Sequence, residues 1–208
     1  MKKMPCLFVR DFSDKRNPKM SRDVTPGCEW VLAGEGVATP KWDGTACLIR
    51  EGRLFKRYDA KRGKEPPAGF EACDEPDPIT GHHPGWVPVN VENPDPADVW
   101  HALAWAQACN HPTPDFGFVG EGTFELVGPR INANRHGLLS HRFVRHGLIP
   151  SEWKAFGSSL TRSFDDLRAF LETFPFEGIV FWRSEDGNCE KVKIRRDDYG
   201  LPWPPSGE

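Results

Sequence analysis

No apolar run in the 208-residue sequence approaches the ~18 residues of a membrane span, so a membrane-embedded chain is not expected. The lysines of Met1-Lys2-Lys3-Met4-Pro5 have no apolar segment behind them, so no secretory signal is expected either. Cysteine is thinly scattered: Cys6, Cys28, Cys47, Cys73, Cys109 and Cys189 include no CxxC pair. That argues against a disulfide framework or zinc site, and for reduced thiols in a cytoplasmic protein. The seven histidines form no HxxxH or HExxH, which removes the usual histidine metal motifs. Nor is charge of one sign in excess: the net charge is -3 and the pI near 6.2. A domain that coats nucleic acid by bulk charge usually exceeds a pI of about 9.

What is present is an ordinary globular composition, with 38% hydrophobic and 27% charged residues and a mean hydropathy of -0.56. The length fits one domain with a real core. Twenty glycines and twenty prolines promise many turns. Charge is segregated along the chain. Residues 50–64 hold Arg50, Arg53, Lys56, Arg57, Lys61, Arg62 and Lys64 against Glu51 and Asp59. Residues 71–98 hold seven acids and no lysine or arginine, and residues 130–146 hold four arginines and three histidines with no acid. Such alternation hides a polarised surface behind a neutral sum.

Short strand-like runs dominate: Ala46 to Arg50, Leu54 to Tyr58, Phe116 to Val127, Gly178 to Trp182 and Glu190 to Ile194. Asp95-Pro96 starts a predicted helix with Trp100, Leu103 and Ala104 on one face. Ser163, with Asp166 three residues on, starts another that buries Leu167, Phe170, Leu171 and Phe174. The acidic, Pro-rich residues 71–98 read as a long surface loop. The expected class is α+β, built on antiparallel sheets flanked by helices.

Five motifs carry chemistry. Lys41-Trp42-Asp43-Gly44 places a lysine, a nucleophile when deprotonated, beside a glycine that lets backbone approach a phosphate or turn tightly. Phe55 to Lys64 offers guanidinium forks, with Arg57 and Arg62 foremost, to phosphate oxygens. In Gly120 to Pro129, alternation puts Glu121 and Glu125 on one strand face and Phe124 on the other. Two such carboxylates suit a hydrated divalent metal or ribose hydroxyls, and equally a polar outward face. Glu177-Gly178-Ile179-Val180 sets a carboxylate at the mouth of a buried strand. Lys191-Val192-Lys193 places two lysines on one strand face, within reach of one phosphate or simply solvated.

In this order, KxDG, basic strand, Glu strand, EGIV and KxK resemble the motif series of the covalent nucleotidyltransferases: RNA ligases, DNA ligases and mRNA capping enzymes. Glu125 to Asn132, His146-Gly147 and Lys191-Val192-Lys193 are most similar to the small single-domain RNA ligase family that includes the vertebrate 5′–3′ RNA ligase. The resemblance runs over about residues 25–200 and implies a single adenylyltransferase domain, 1–208. It implies that Lys41 attacks the α-phosphate of ATP to give lysyl-AMP, and that Lys191 and Lys193 neutralise that phosphate. Arg57, with Arg62 as a rival, falls where the family contacts phosphate or ribose. Thr39 falls where adenine is read, and Asp43 and Gly44 complete the nucleotide-binding motif. Glu125 and Glu177 would serve the ribose or, through water, Mg²⁺ or Mn²⁺. Relatives stack the purine on an aromatic some twenty residues after the third motif, which falls near Phe143 or His146.

The resemblance further implies a partner RNA with 5′-phosphate and 3′-hydroxyl ends, and a monomeric protein. Only 15 residues follow Lys193, too few for the OB-fold domain that DNA ligases and capping enzymes carry, so none is expected. The alternatives are such an enzyme lacking its OB fold, or a self-adenylylating nucleotide-binding regulator that never seals strands.

Overall fold

A computed structural model describes residues 4–11, 19–78, 80–110, 120–147, 159–185 and 188–205. In chain order the elements are β1 (Phe8–Asp11), β2 (Lys19–Val24), α1 (Glu29–Leu32), β3 (Val37–Lys41), β4 (Thr45–Arg50), β5 (Arg53–Ala60), β6 (Glu71–Ala72), β7 (His83–Pro88), α2 (Val99–Asn110), β8 (Gly122–Val127), β9 (Arg142–Arg145), α3 (Phe164–Thr173), β10 (Gly178–Glu185) and β11 (Asn188–Arg195). The class is α+β, and every pairing between these strands is antiparallel. No helix among the described residues is long and apolar enough to cross a membrane.

The single domain expected from the sequence is organised as two compact units, Asp43–His146 and Met4–Trp42 with Gly147–Glu208. The chain passes from one to the other at Trp42-Asp43, inside the first motif, and again at His146-Gly147. Nothing in composition or motif order marks these crossings, because each unit draws its core from its own sheet.

The Asp43–His146 unit is a six-stranded sheet, β6-β7-β5-β4-β8-β9. The register Cys47↔Phe124↔Arg145 and Leu126↔Phe143 fixes which residues share a face. Cys47, Ile49, Leu54, Phe124, Leu126 and Phe143 all turn into one core, covered by Trp100, Ala104, Trp105 and Ala108 of α2. Leu103, expected on the buried face of that helix, is 42% exposed. Positions 100, 101, 104, 105 and 108 form the stripe at 3.6-residue spacing, and 103 falls outside it. The segment 71–98, expected as a surface loop, contains β6 and β7. Strand β7 is interior to the sheet, with Trp86 and Val87 buried. The two prolines within it, at positions 84 and 88, hide a short strand from sequence patterns.

The second unit holds the sheet β11-β10-β3 and the hairpin β1-β2. Leu7 N donates to Lys193 O at 2.8 Å, and Lys193 N to Pro5 O at 3.0 Å, adding a short parallel bridge beside β11. Helix α3 begins as expected: the Ser163 hydroxyl accepts from Asp166 N at 3.2 Å. Leu167 and Leu171 are fully buried against Ile179, Phe181, Val192 and Ile194. The helix's last carbonyls are met by buried Arg196, whose guanidinium donates to Phe174 O at 2.9 Å and to Leu171 O.

Two histidines of the six-stranded unit, His101 and His141, are buried. Burial holds both imidazoles below their ordinary pKa of 6.5. At His101 the Lys56 charge adds to the effect, while Asp98 opposes it. Below pH 6.5 the unfolded chain therefore takes up protons that the folded one does not, and stability falls with falling pH. The loss is at most about 1.4 kcal/mol per pH unit for each histidine. The urea midpoint should drop between pH 7 and pH 5.5, and drop less in the double variant His101→Gln/His141→Gln. An equal drop in that variant would assign the acid sensitivity to other groups.

Candidate active site

In the β11-β10-β3 sheet, side-chain alternation and register sort every residue onto one of two faces. Ala38, Ile179, Phe181, Val192 and Ile194 form the buried face. The pairings Lys41↔Gly178↔Arg195, Thr39↔Val180↔Lys193 and Val37↔Trp182↔Lys191 place three rows on the opposite face. Five sequence-predicted residues of this unit are brought together there: Thr39, Lys41, Lys191 and Lys193 on the rows themselves, and Glu177 one residue before β10.

Lys41 Nζ is paired with Glu177 Oε2, and the two side chains are 20% and 14% exposed. Their neighbours pair as well, Trp42 edge-on to Phe176 at 4.9 Å. Glu177 O accepts from Arg196 N at 2.9 Å, which ties the start of β10 to the end of β11. Gly178 has to be glycine. A Cβ there would run into Ile194 O and come within 2.8 Å of Arg195 Cα.

Burial lowers the pKa of both Lys191 and Lys193. At Lys193 burial is opposed first by Cys6, which raises the pKa, while the positive charges of Lys41, Arg195 and Arg10 each lower it further by less. Lys191 Nζ lies 5.1 Å from the centre of the Trp182 ring. The Trp182 indole N–H donates to Thr39 Oγ1 at 2.7 Å, and that hydroxyl lies 3.2 Å from Val180 O. The Thr39 hydroxyl is thus committed inside the sheet. No motif of the sequence includes Trp182, yet its place two positions after Val180 puts it on the lysine face.

In the Asp43–His146 unit the same sorting holds. Alternation places Arg57 with Phe55, and Glu125 with Thr123, while Phe55↔Leu48↔Thr123 puts both sets on the face opposite the core. Glu125 receives Gly44 N at 3.1 Å on one oxygen and lies 3.0 Å from His146 Nε2 on the other. Phe143 and His146 fall on opposite sides. Phe143 pairs with core residue Leu126 and is 2% exposed, edge-on to Phe124. Phe143 thereby leaves the candidate site, and His146 stays in it. Arg57 Nε donates to Asp59 at 3.0 Å, beside the Trp86 ring. Arg62 lies in an exposed turn beyond β5, its side chain against Gly81.

Asp43 is gripped by residues that sequence patterns did not reveal. Asn132 Nδ2 donates to Asp43 Oδ1 and to Gly44 O, both at 2.8 Å. Arg135 Nη1 donates to Asp43 Oδ2 at 2.9 Å, and Asp43 N donates to His136 Nε2 at 2.8 Å. The grip comes from a turn in which Asn132, Ala133 and Asn134 all have positive φ, 44°, 57° and 51°. Three successive non-glycine residues there store strain, a feature that clusters at functional sites. Gly44 is locked as firmly, since a Cβ would strike Leu126 O and approach Val127 Cγ1 to 2.7 Å.

The chain as a whole is similar to proteins named RNA ligase 1. The family model of RNA ligase 1 matches residues 114–208. RNA ligase 1 of Pongo abelii is 28% identical over 275 aligned positions, covering 98% of this chain and 82% of the relative. RNA ligase 1 of Mus musculus is 28% identical with 98% and 81% covered, and that of Danio rerio 25% identical with 97% and 82% covered. The resemblance expected from the motif order is met again here. Lys41 lies outside the family-model match, but these alignments cover nearly the whole chain.

Removing the Asn132 amide should cost about 1 kcal/mol for the lost hydrogen bonds. Asn132→Ala should cost about 1–2 kcal/mol more, for a β-carbon at φ 44° that only asparagine, aspartate and glycine adopt readily. Asn132→Gly should therefore be the milder of the two in urea denaturation. Equal losses would show that backbone strain contributes nothing at this turn.

Proposed function

We propose that the chain is a member of the RNA ligase 1 family and an ATP-dependent RNA ligase working through a covalent lysyl-AMP on a nucleotidyltransferase fold. The observation that carries this reading is Lys41 in contact with Glu177 on the sheet face that also presents Lys191 and Lys193. A nucleophilic amine, a carboxylate beside it and two lysines whose charge burial makes costly form a set suited to phosphoryl transfer.

In the first step, a Lys41 ammonium proton passes to Glu177 or to water, and the freed lone pair forms a bond to the α-phosphorus of ATP. The bond from that phosphorus to the bridging oxygen breaks, and pyrophosphate leaves with the electron pair. Loss of a second N–H proton leaves a phosphoramidate whose nitrogen is neutral and whose phosphate keeps one negative charge. In the second step, a 5′-phosphate oxygen of the RNA attacks the same phosphorus, the N–P bond breaks, and Lys41 takes up a proton. In the third, the 3′-hydroxyl attacks the RNA 5′-phosphorus, gives up its proton, and AMP leaves. Lys191 and Lys193 offset the charge gathering on the phosphate oxygens.

Asp43 and Gly44 hold the backbone that follows the nucleophile, through the Asn132 and Arg135 grip. Glu125, with His146 against it, suits ribose hydroxyls, and the His146 ring suits stacking on the purine. Thr39 would meet adenine through its backbone, its hydroxyl being engaged with Trp182. Arg57 or Arg62 would contact phosphate or ribose. No group of three or more His, Cys, Asp or Glu that could cage a metal exists among the described residues. That fits Mg²⁺ or Mn²⁺ carried largely by water and nucleotide phosphates, with Glu125 or Glu177 reaching its water shell and the metal supplying charge neutralisation.

Incubation with α-labelled ATP and Mg²⁺ or Mn²⁺ should label the wild type and leave Lys41→Ala unlabelled. The label should be discharged by 5′-phosphorylated RNA and yield sealed strands. An unlabelled wild type, or equal labelling of Lys41→Ala, would overturn the covalent mechanism. A label that RNA cannot discharge would point to a self-adenylylating regulator, and sealing of DNA but not RNA would overturn the substrate.

A further inference from the structure

Arg195 follows the paired lysines on the same strand face, and neither the motif series nor the proposed reaction uses it. The register Lys41↔Gly178↔Arg195 places it directly across the sheet from Lys41, about 10 Å away from Cα to Cα at ordinary strand spacing. The residue between them is glycine, so no side chain divides the two cations. Arg195 is held by Asp198, whose side chain is 1% exposed. The carboxylate receives Arg195 N at 2.8 Å, Arg195 Nη2 at 3.1 Å and also Arg10 Nη2. Arg195 Nη2 reaches Asp197 as well, at 3.4 Å, but that carboxylate is 78% exposed and weakly held. Arg195 Nε remains: it is buried and has no hydrogen-bond acceptor among the described residues.

Four cations, Lys41, Lys193, Arg195 and Arg10, thus lie close enough for the last two and Lys41 to disfavour the charge on Lys193. The fixed carboxylates among them are Glu177, paired with Lys41, and Asp198. Asp198 has a single charge for two guanidiniums, and a buried N–H is left over. Such a cluster leaves positive charge and one donor available to a further anion.

The identity of that anion follows from the reaction. Phosphoryl transfer runs roughly in line, so the leaving oxygen departs on the side of the phosphorus away from the nucleophile. Across the sheet from Lys41, that side is where Arg195 stands. We propose that Arg195 and Arg10, pinned by Asp198, form the subsite that binds the β- and γ-phosphates of ATP and stabilises the departing pyrophosphate. The assignment rests on Lys41 being the nucleophile. Bond changes are those of the first step already given, with the arginines stabilising the negative charge that develops on the bridging oxygen and staying protonated throughout.

Titration of the full chain with inorganic pyrophosphate tests the subsite without any turnover. The wild type should bind it, Arg195→Gln should bind about tenfold or more weakly, and Arg195→Lys should fall between, keeping the charge but not the fork. Arg10→Gln gives a second variant on a different strand, expected to weaken binding in the same direction, and unchanged urea midpoints exclude a folding defect. In turnover, Arg195→Gln should lose at least about tenfold more rate with ATP than with RNA already carrying a 5′-adenylyl group, a substrate that never releases pyrophosphate. Failure of the wild type to bind pyrophosphate, or equal binding by Arg195→Gln, would overturn the subsite. Equal losses on the two substrates would overturn it too, and move Arg195 to the RNA phosphates. An unlabelled wild type would refute the role of Lys41 while the pyrophosphate titration still decides on Arg195.

Discussion

The register between β3, β10 and β11 is the constraint on which the lysine face depends. Antiparallel pairing fixes Gly178 between Lys41 and Arg195, and Val180 between Thr39 and Lys193. Because side chains alternate strictly, a one-residue slip of β11 would turn Lys191, Lys193 and Arg195 into the core and expose Val192 and Ile194, and a slip of β10 would expose Ile179 and Phe181. Fully burying each of those aliphatic or aromatic side chains is worth about 1.5–3 kcal/mol. Charging the wrong face would add the cost of burying unpaired ammonium groups. The apolar face therefore enforces the position of the lysine face, and Lys41 is kept in register by the sheet as well as by its pairing with Glu177. Gly178 adds a steric lock, since a side chain there would collide with the neighbouring strand.

Electrostatics follows a second economy. The basic run 50–64 and the acidic run 71–98 look like opposed surface patches, yet they are partners. Arg50 is bridged to Glu71 at 2.7 Å, and Lys56 to Asp98. The Lys56 and Asp98 side chains are 16% and 7% exposed, and Asp98 also accepts Asn90 N at 3.0 Å, so this pair is screened little by solvent. Net charge near neutrality is then partly the sum of pairs inside one sheet unit. The positive charge on the β11-β10-β3 face is of another kind, because its fixed carboxylates, Glu177 and Asp198, are fewer than its cations. Attraction for a polyanion would come from that imbalance rather than from bulk charge.

How much of this could be read from the chain depends on the range over which each signal acts. Helix α3 was legible because Ser163, Asp166 and the Leu167/Leu171 spacing act within one or two turns. Strands β4, β5, β10 and β11 were legible because apolar alternation or continuous apolar runs need only a few residues. Strand β3 was hidden by its proline, and β7 by two, and both are defined by partners far along the chain. The Lys41–Glu177 pair spans 136 residues and the Asn132–Asp43 contact 89. Only motif order hinted at the former, and nothing local hinted at the latter. Phe143 and His146 were indistinguishable by distance from the third motif. Register separates them, because residues three apart on an extended segment point to opposite faces.

The neighbouring residues 194–196 show how closely structural and chemical tasks can be interleaved. Ile194 enters the core, Arg195 faces the lysines, and Arg196 turns back to the carbonyls at the end of α3. Both arginines are held by buried acceptors, but with different consequences. Arg196 also donates Nε to Pro202 O at 2.7 Å, so its Nε and Nη1 are engaged by backbone and close the helix end. Arg195 shares a buried carboxylate with Arg10 and keeps a buried N–H in hand. Burying Asp198 without cations would be prohibitive, and one guanidinium would suffice to neutralise it. The second guanidinium is surplus to that need, and surplus positive charge facing a row of lysines raises the cost of every cation already there. A fold optimised for stability alone would not gather it beside Lys193, whereas a fold that must receive a phosphate anion gains from doing so.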